Sequence, residues 1–195
     1  RADIAAVDLP AQRFAGRTGP LKLLVVGGSL GAVALNDNVP KALALLPAGQ
    51  RPQVIHQAGT KNIDALRTNY AQAGVAAECV AFIDNMAQAY ADADLVICRA
   101  GALTVAELAA AGVASVLVPY PHAVDDHQTG NAKYLADNHA AVLLSQSQMT
   151  PEKLAALLGG LNRDKLLNMA QAARKLAKPY ATEEVAAVCL KLART

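Results

Sequence analysis

A chain of 195 residues with 53% hydrophobic side chains can bury a substantial core, and 18 Lys and Arg against 16 Asp and Glu leave no broad basic field for nucleic acid. The three cysteines, Cys79, Cys98 and Cys189, stand far apart without paired spacing, which suits reduced thiols in a cytoplasm better than a disulfide framework or a zinc site. The most apolar stretch, 108–118, is too short to cross a bilayer, and Arg1-Ala2-Asp3-Ile4 lacks the order of a signal peptide and reads as a cut end.

Residues 1–20 mix Pro10, Gly16, Gly19 and Pro20 with charges and show no sustained period, so they read as a connector. From Leu21 onward, short β-rich runs alternate with Ala-rich helical segments. The candidate strands are 21–26, 53–57, 78–83, 95–98, 115–118 and 141–144. Their side chains are apolar throughout rather than alternating, as expected of strands covered on both faces, and the β-then-α rhythm implies right-handed crossovers. The reading is α/β: a Rossmann-like, doubly wound parallel sheet of about six strands over 21–150, followed by a helical segment over 151–195 of the same domain. Thr150-Pro151-Glu152 supplies a cap and first turn for that segment.

In such sheets ligands bind beyond the carboxyl ends of the strands, where the strand order reverses. After the first strand, Gly27-Gly28-Ser29-Leu30-Gly31-Ala32 opens a helix carrying Asn36, Asp37 and Asn38. Backbone amides and a helix N-terminus there would face an anion, with the Ser29 hydroxyl as a further donor; a tight turn whose glycines serve packing is the plainer alternative. Dinucleotide binding is disfavoured. Val26 takes the first glycine position of the fingerprint, and the second strand ends His56-Gln57-Ala58-Gly59 where a ribose-binding acid would stand.

After the fourth strand, Arg99-Ala100-Gly101-Ala102-Leu103-Thr104-Val105-Ala106-Glu107 opens a second helix, which ends at Gly112. Thr104 and Glu107 lie three residues apart on one face. Glu107 could accept two hydrogen bonds from a ribose diol, or the pair could form a capping box in which Thr104 caps the helix.

Four segments, Gly27 to Ala32, Phe82-Ile83-Asp84, Arg99 to Glu107, and Asp126-His127-Gln128 with Asn131-Ala132, together resemble in order and spacing the donor half of the MurG family of GT-B glycosyltransferases. The resemblance covers essentially the whole chain and favours the ribose role for Glu107. It implies that residues 1–20 are an interdomain connector and that the domain binds UDP-N-acetylglucosamine. The uracil would rest on the Ile83 backbone beside Phe82, and Ser29 would touch the diphosphate within a loop of Gly27, Gly28 and Gly31. Ala102, Leu103 and Thr104 would meet phosphate and sugar, Arg1 would lie near the nucleotide, and His127 with Gln128 would read the sugar hydroxyls. Leu30 and His127 stand where many members have Gln.

The resemblance also implies an inverting transfer of N-acetylglucosamine from UDP to undecaprenyl-pyrophosphoryl-MurNAc-pentapeptide, which converts lipid I to lipid II in peptidoglycan synthesis, without a cofactor or a metal bound by this domain. No catalytic residue falls in this chain; the base and the lipid-linked acceptor site would belong to an N-terminal half preceding Arg1. The complete enzyme would be peripheral on the cytoplasmic face of the bacterial inner membrane. A UDP-sugar epimerase and a noncatalytic nucleotide-binding module are the other classes this fold admits. Among the histidines, His122 and His127 lie at the expected site, whereas His56 and His139 suit structural or solvated roles. Asp92 and Asp94 match a D-x-D metal motif but precede the fourth strand, at the wrong edge. Asp125-Asp126 lies at the correct edge. Arg163, Lys165, Arg174, Lys175 and Lys178 read as a solvated helix face.

Overall fold

A computed structural model describes residues 1–28, 32–122 and 124–193. In chain order it contains α1 (Ala2–Ala5), α2 (Pro10–Phe14), β1 (Lys22–Val26), α3 (Val33–Leu45), β2 (Gln53–Gln57), α4 (Ile63–Ala73), β3 (Glu78–Val80), α5 (Met86–Asp92), β4 (Leu95–Cys98), α6 (Ala102–Ala111), β5 (Ser115–Leu117), α7 (His127–Ala136), β6 (Ala141–Leu143), α8 (Pro151–Gly159), α9 (Arg163–Lys175) and α10 (Ala181–Leu192).

The six strands form one parallel sheet in the order β3-β2-β1-β4-β5-β6, the doubly wound arrangement expected from the apolar runs. Successive side chains point to opposite faces. Leu23, Val25, Leu95, Ile97 and Val116 therefore join one core with Leu35, Val39 and Leu43 of α3, Leu66 and Tyr70 of α4, and Leu154 and Leu158 of α8. Leu24, Val96, Cys98 and Leu117 join a second core with Tyr90 of α5, Val105 and Leu108 of α6, and Leu135 of α7. α9 contributes to both, Leu166 and Ala170 to the first and Ala173 to the second.

Residues 1–20, aperiodic in sequence, carry two helices too short to display a period. Ile4 and Val7 are buried in the second core and Phe14 in the first. Arg13 is also buried, and its guanidinium donates to the carbonyls of Tyr90 (3.0 Å), Ala111 (3.2 Å) and Gly112. Desolvation lowers its pKa to about 10, so it remains a cation among carbonyl dipoles. Asp94, buried at the head of β4, accepts from the Lys22 amide at 2.9 Å and pairs with Arg17 at 2.5 Å. The D-x-D resemblance thus dissolves into a structural ion pair.

Register aligns the carboxyl ends. Val80, Gln57, Val26, Cys98, Leu117 and Leu143 form one row across all strands. The loops after β1, β3, β4 and β5 consequently leave the sheet at one level, and the order reverses between β1 and β4.

Candidate functional site at the sheet switch point

Two helices begin at the switch point, α3 after β1 and α6 after β4. Among the described residues, neither has a side-chain cap: the N-cap positions are Ala32 and Gly101. Asn85, Thr150 and Asn162, by contrast, cap α5, α8 and α9 with their side chains. The first-turn amides of α3 and α6 thus remain available to an anion, which the helix dipoles also favour.

Ser29, Leu30 and Gly31 lie outside the described residues. Before them, the Gly27 amide donates to the Gln57 carbonyl at 3.2 Å, and Gly28 adopts φ +81°, a conformation that glycine takes without strain. The Gly28 amide donates to Gln57 Oε1 at 3.1 Å, and Gln57 Nε2 donates to the carbonyls of Gly28 and Ala81, each at 3.0 Å. β3 ends at Val80 rather than running on to Ile83, and beyond its end the Gln57 side chain takes the Ala81 carbonyl. Phe82 is 67% exposed, which excludes a core role for it; Ile83 is half-buried against the second core.

Around α6 the alternatives for Thr104 and Glu107 separate. The helix starts at Ala102, so Thr104 sits inside its first turn, and no capping box forms. Glu107 is held on its outward face: the Tyr90 hydroxyl donates to Oε2 at 3.2 Å and Arg1 Nη1 to Oε1 at 3.4 Å. Burial pushes the Tyr90 hydroxyl's pKa up, so it stays protonated as a donor. Leu103 is 81% exposed at the mouth of the same helix.

Arg99 ties this loop to the one after β5. Its guanidinium donates to the carbonyls of Val118 and Pro119, both at 3.2 Å, and to Gln146 Oε1 at 2.6 Å, and it lies over the Tyr120 ring. Asn131 Nδ2 donates to the Ala100 carbonyl at 3.1 Å, binding α7 to the same turn. Gln128, in the first turn of α7, accepts from the Tyr120 amide through Oε1 at 2.9 Å, which orients its side chain. His127 is exposed at the start of α7, and Asp125 and Asp126 ahead of it hold positive φ values of 54° and 50°. Strained backbone of that kind concentrates at ligand-binding turns.

A family model described as the glycosyltransferase family 28 C-terminal domain matches residues 22–185. The chain belongs to that family. Over 193 residues, 99% of this chain, it is 67% identical to the Aromatoleum aromaticum protein named UDP-N-acetylglucosamine--N-acetylmuramyl-(pentapeptide) pyrophosphoryl-undecaprenol N-acetylglucosamine transferase. It spans about half the length of the curated relatives it matches, 54% in that case. The crystal structure of Acinetobacter baumannii MurG superposes with a TM-score of 0.90 at 47% identity, over 96% of this chain and 55% of that one. A UDP-GlcNAc 2-epimerase from Neisseria meningitidis, TM-score 0.55 at 9% identity over 93% of this chain and 46% of its own, shares the fold alone.

In this family 28 domain the fold therefore gathers Arg1, Glu107 and Tyr90 into one cluster, and Gly27, Gly28, Gln57 and the segment before Ile83 into another. Ala102, Leu103 and Thr104 form the first turn of α6. Tyr90 and Gln57 are the residues that sequence reasoning missed as site supports. Tyr90 sits in an Ala-rich helix with no spacing relation to Glu107. Gln57 did carry a signal, since an amide stood where a dinucleotide domain would place an acid. Among the described residues, no three His, Cys, Asp or Glu side chains gather as a metal site would require.

Proposed function

We propose that this chain is the donor-binding domain of an inverting glycosyltransferase that passes N-acetylglucosamine from UDP-N-acetylglucosamine to undecaprenyl-pyrophosphoryl-MurNAc-pentapeptide in peptidoglycan synthesis. The observation that carries the reading is the switch-point crevice, where two uncapped helix N-termini flank a fixed carboxylate in a chain so similar to a named transferase.

The division of labour follows from chemistry. Glu107 accepts from the ribose hydroxyls with its oxygens already oriented by Tyr90 and Arg1. The Ile83 backbone, beside Phe82, meets the uracil. Ser29, in the phosphate loop of Gly27, Gly28 and Gly31, meets the diphosphate from the α3 side, with the Gly27 and Gly28 amides held by Gln57, while Ala102, Leu103 and Thr104 face phosphate and sugar from the α6 side. His127 and Gln128 read the sugar hydroxyls. When the bond from the anomeric carbon to UDP breaks, its electron pair stays on the diphosphate oxygen, and oriented amide dipoles at two helix ends stabilise that added charge. The acceptor oxygen attacks from the opposite face, and its proton passes to a base outside this chain, in the half of the relatives that the chain does not span. The lipid-linked acceptor binds there too, and the complete enzyme works peripherally at the cytoplasmic membrane face. No helix among the described residues is long and apolar enough to cross a membrane. An epimerase and a noncatalytic module share the fold, and no feature of the site favours either.

Calorimetric titration tests the reading. UDP-N-acetylglucosamine should bind and NAD should not, and Glu107→Ala should weaken the UDP-sugar by about tenfold or more, the worth of ~1.5–3 kcal/mol for hydrogen bonds to a charged acceptor. Tight NAD binding with no UDP-sugar binding would refute it.

A further inference from the structure

We propose that Gln57 is a positioning residue whose side-chain amide locks the phosphate loop to the base-binding segment, so that both ends of a nucleoside diphosphate are bound as one rigid unit. The proposal rests on the donor reading above. Gln57 is 3% exposed, and its amide is fully engaged: Oε1 accepts from the Gly28 amide, one Nε2 proton goes to the Gly28 carbonyl and the other to the Ala81 carbonyl. Bonding both the amide and the carbonyl of Gly28 restrains the φ and ψ of that single residue. Gly28 holds φ +81°, and among the described residues no atom is near enough to meet an added Cβ, so this two-point bond, rather than crowding, holds its conformation. The third bond then ties the same amide to the chain two residues before Ile83.

Register makes the bridge possible. Gln57, the last residue of β2, stands between Val26 and Val80 in the row, so one side chain reaches the loops of both neighbouring strands. No other residue type fits. Asn is one methylene short, Lys and Arg offer no acceptor, and Glu would set a carboxylate against two carbonyl oxygens. The residue contacts no reacting atom in this scheme. It acts through Gly28 and Ala81, and what it supplies is preorganisation, which raises affinity most for a ligand that spans both loops.

The test is calorimetry on the chain and on Gln57→Glu and Gln57→Met, using UDP-N-acetylglucosamine and uridine from pH 5 to pH 8. At pH 8 both variants should bind UDP-N-acetylglucosamine about tenfold more weakly or worse, yet lose no more than about threefold for uridine, which touches one loop only. Lowering the pH protonates the introduced carboxyl and returns one donor, so Gln57→Glu should regain affinity relative to wild type while Gln57→Met does not. A general loss of packing would not recover with acid. Met is close to Gln in shape, and it carries the comparison alone if the Glu variant fails to fold. UDP-N-acetylglucosamine affinities within about twofold of wild type, or equal losses for uridine, would overturn the proposal and leave the donor reading standing. A wild-type chain that binds neither ligand would overturn both.

Discussion

The helices that meet at the switch point are supported by different chemistry. At the amino end of α3 the supports are neutral amides, although the Arg51 guanidinium closes over its carboxyl end through the Ala44 and Leu46 carbonyls. Gln57 holds the loop, and Asn69 Nδ2 donates at 3.0 Å to the Asn36 carbonyl, which Pro40, lacking an N–H, cannot serve. On the α6 side the ligand-facing supports include charge, since Arg1 and Tyr90 grip Glu107; the helix's carboxyl end, like that of α3, is closed by an arginine, here Arg13. In the proposed role, a loop around a diphosphate gains from neutral fasteners, because an anion there would repel the ligand and a cation would be drawn from its structural partner to it. A carboxylate proposed to take two hydroxyls instead needs charged or strongly polar partners to keep its oxygens in place.

Glycine substitution should expose the largest contrast. Gly112, at the end of α6, has φ +64°, and an added Cβ would lie 2.9 Å from Arg174 Cβ and Pro10 Cγ and 3.2 Å from the Ala170 carbonyl. Gly112→Ala should cost about 3 kcal/mol in urea unfolding, combining left-handed strain with overpacking. Gly28→Ala has the strain without the crowding and should cost about 1 kcal/mol. Equal losses would show that the two sides are equally packed.

A pH series probes the α3 side next. His56, buried on β2 with Nδ1 2.9 Å from the Tyr70 hydroxyl, has its pKa pushed by desolvation down to about 3. The unfolded chain takes up that proton near the ordinary histidine value while the folded chain does not, so stability falls as the pH drops from about 6.5 toward 3. This one group should remove about 2 kcal/mol between pH 7 and pH 5. His56→Gln should flatten the unfolding free energy across that interval by a similar amount, and an unchanged slope would place the acid sensitivity elsewhere.

The smallest effect is expected from Tyr90→Phe, which deletes one hydrogen bond to Glu107 and leaves the ring in the core. UDP-N-acetylglucosamine should bind about fivefold more weakly, ~1 kcal/mol, with little change in Tm. Unaltered affinity would mean that α6 and Arg1 orient the carboxylate without Tyr90.

The central strands were legible because strands covered on both faces write themselves as unbroken apolar runs, as in β1 and β4. The loops after them were legible as glycine-bearing turns into helices. Residues 1–20 were not: α1 and α2 span 4 and 5 residues, about one turn each, and a buried Arg13 in a Pro- and Gly-containing stretch looks like a solvated charge. The end of β3 was misjudged for a similar reason. Phe82 and Ile83 continue the β-rich composition of the strand, but the ladder stops at Val80, and beyond it a side chain from β2 takes the Ala81 carbonyl. No local spacing rule links positions 28, 57 and 81, or 90 and 107. Those pairings exist only once the row of strand ends is in register.

The outermost strands, β3 and β6, are only three residues long each. A sheet margin is a template for further strands, and its reach grows with the number of unpaired amides and carbonyls it displays. Here that display is cut to its minimum at both margins, while the longer strands, β1, β2 and β4, all have neighbours on either side. The arrangement that brings the ligand loops together in the middle of the sheet thus also leaves the protein little edge along which to pair with its own copies.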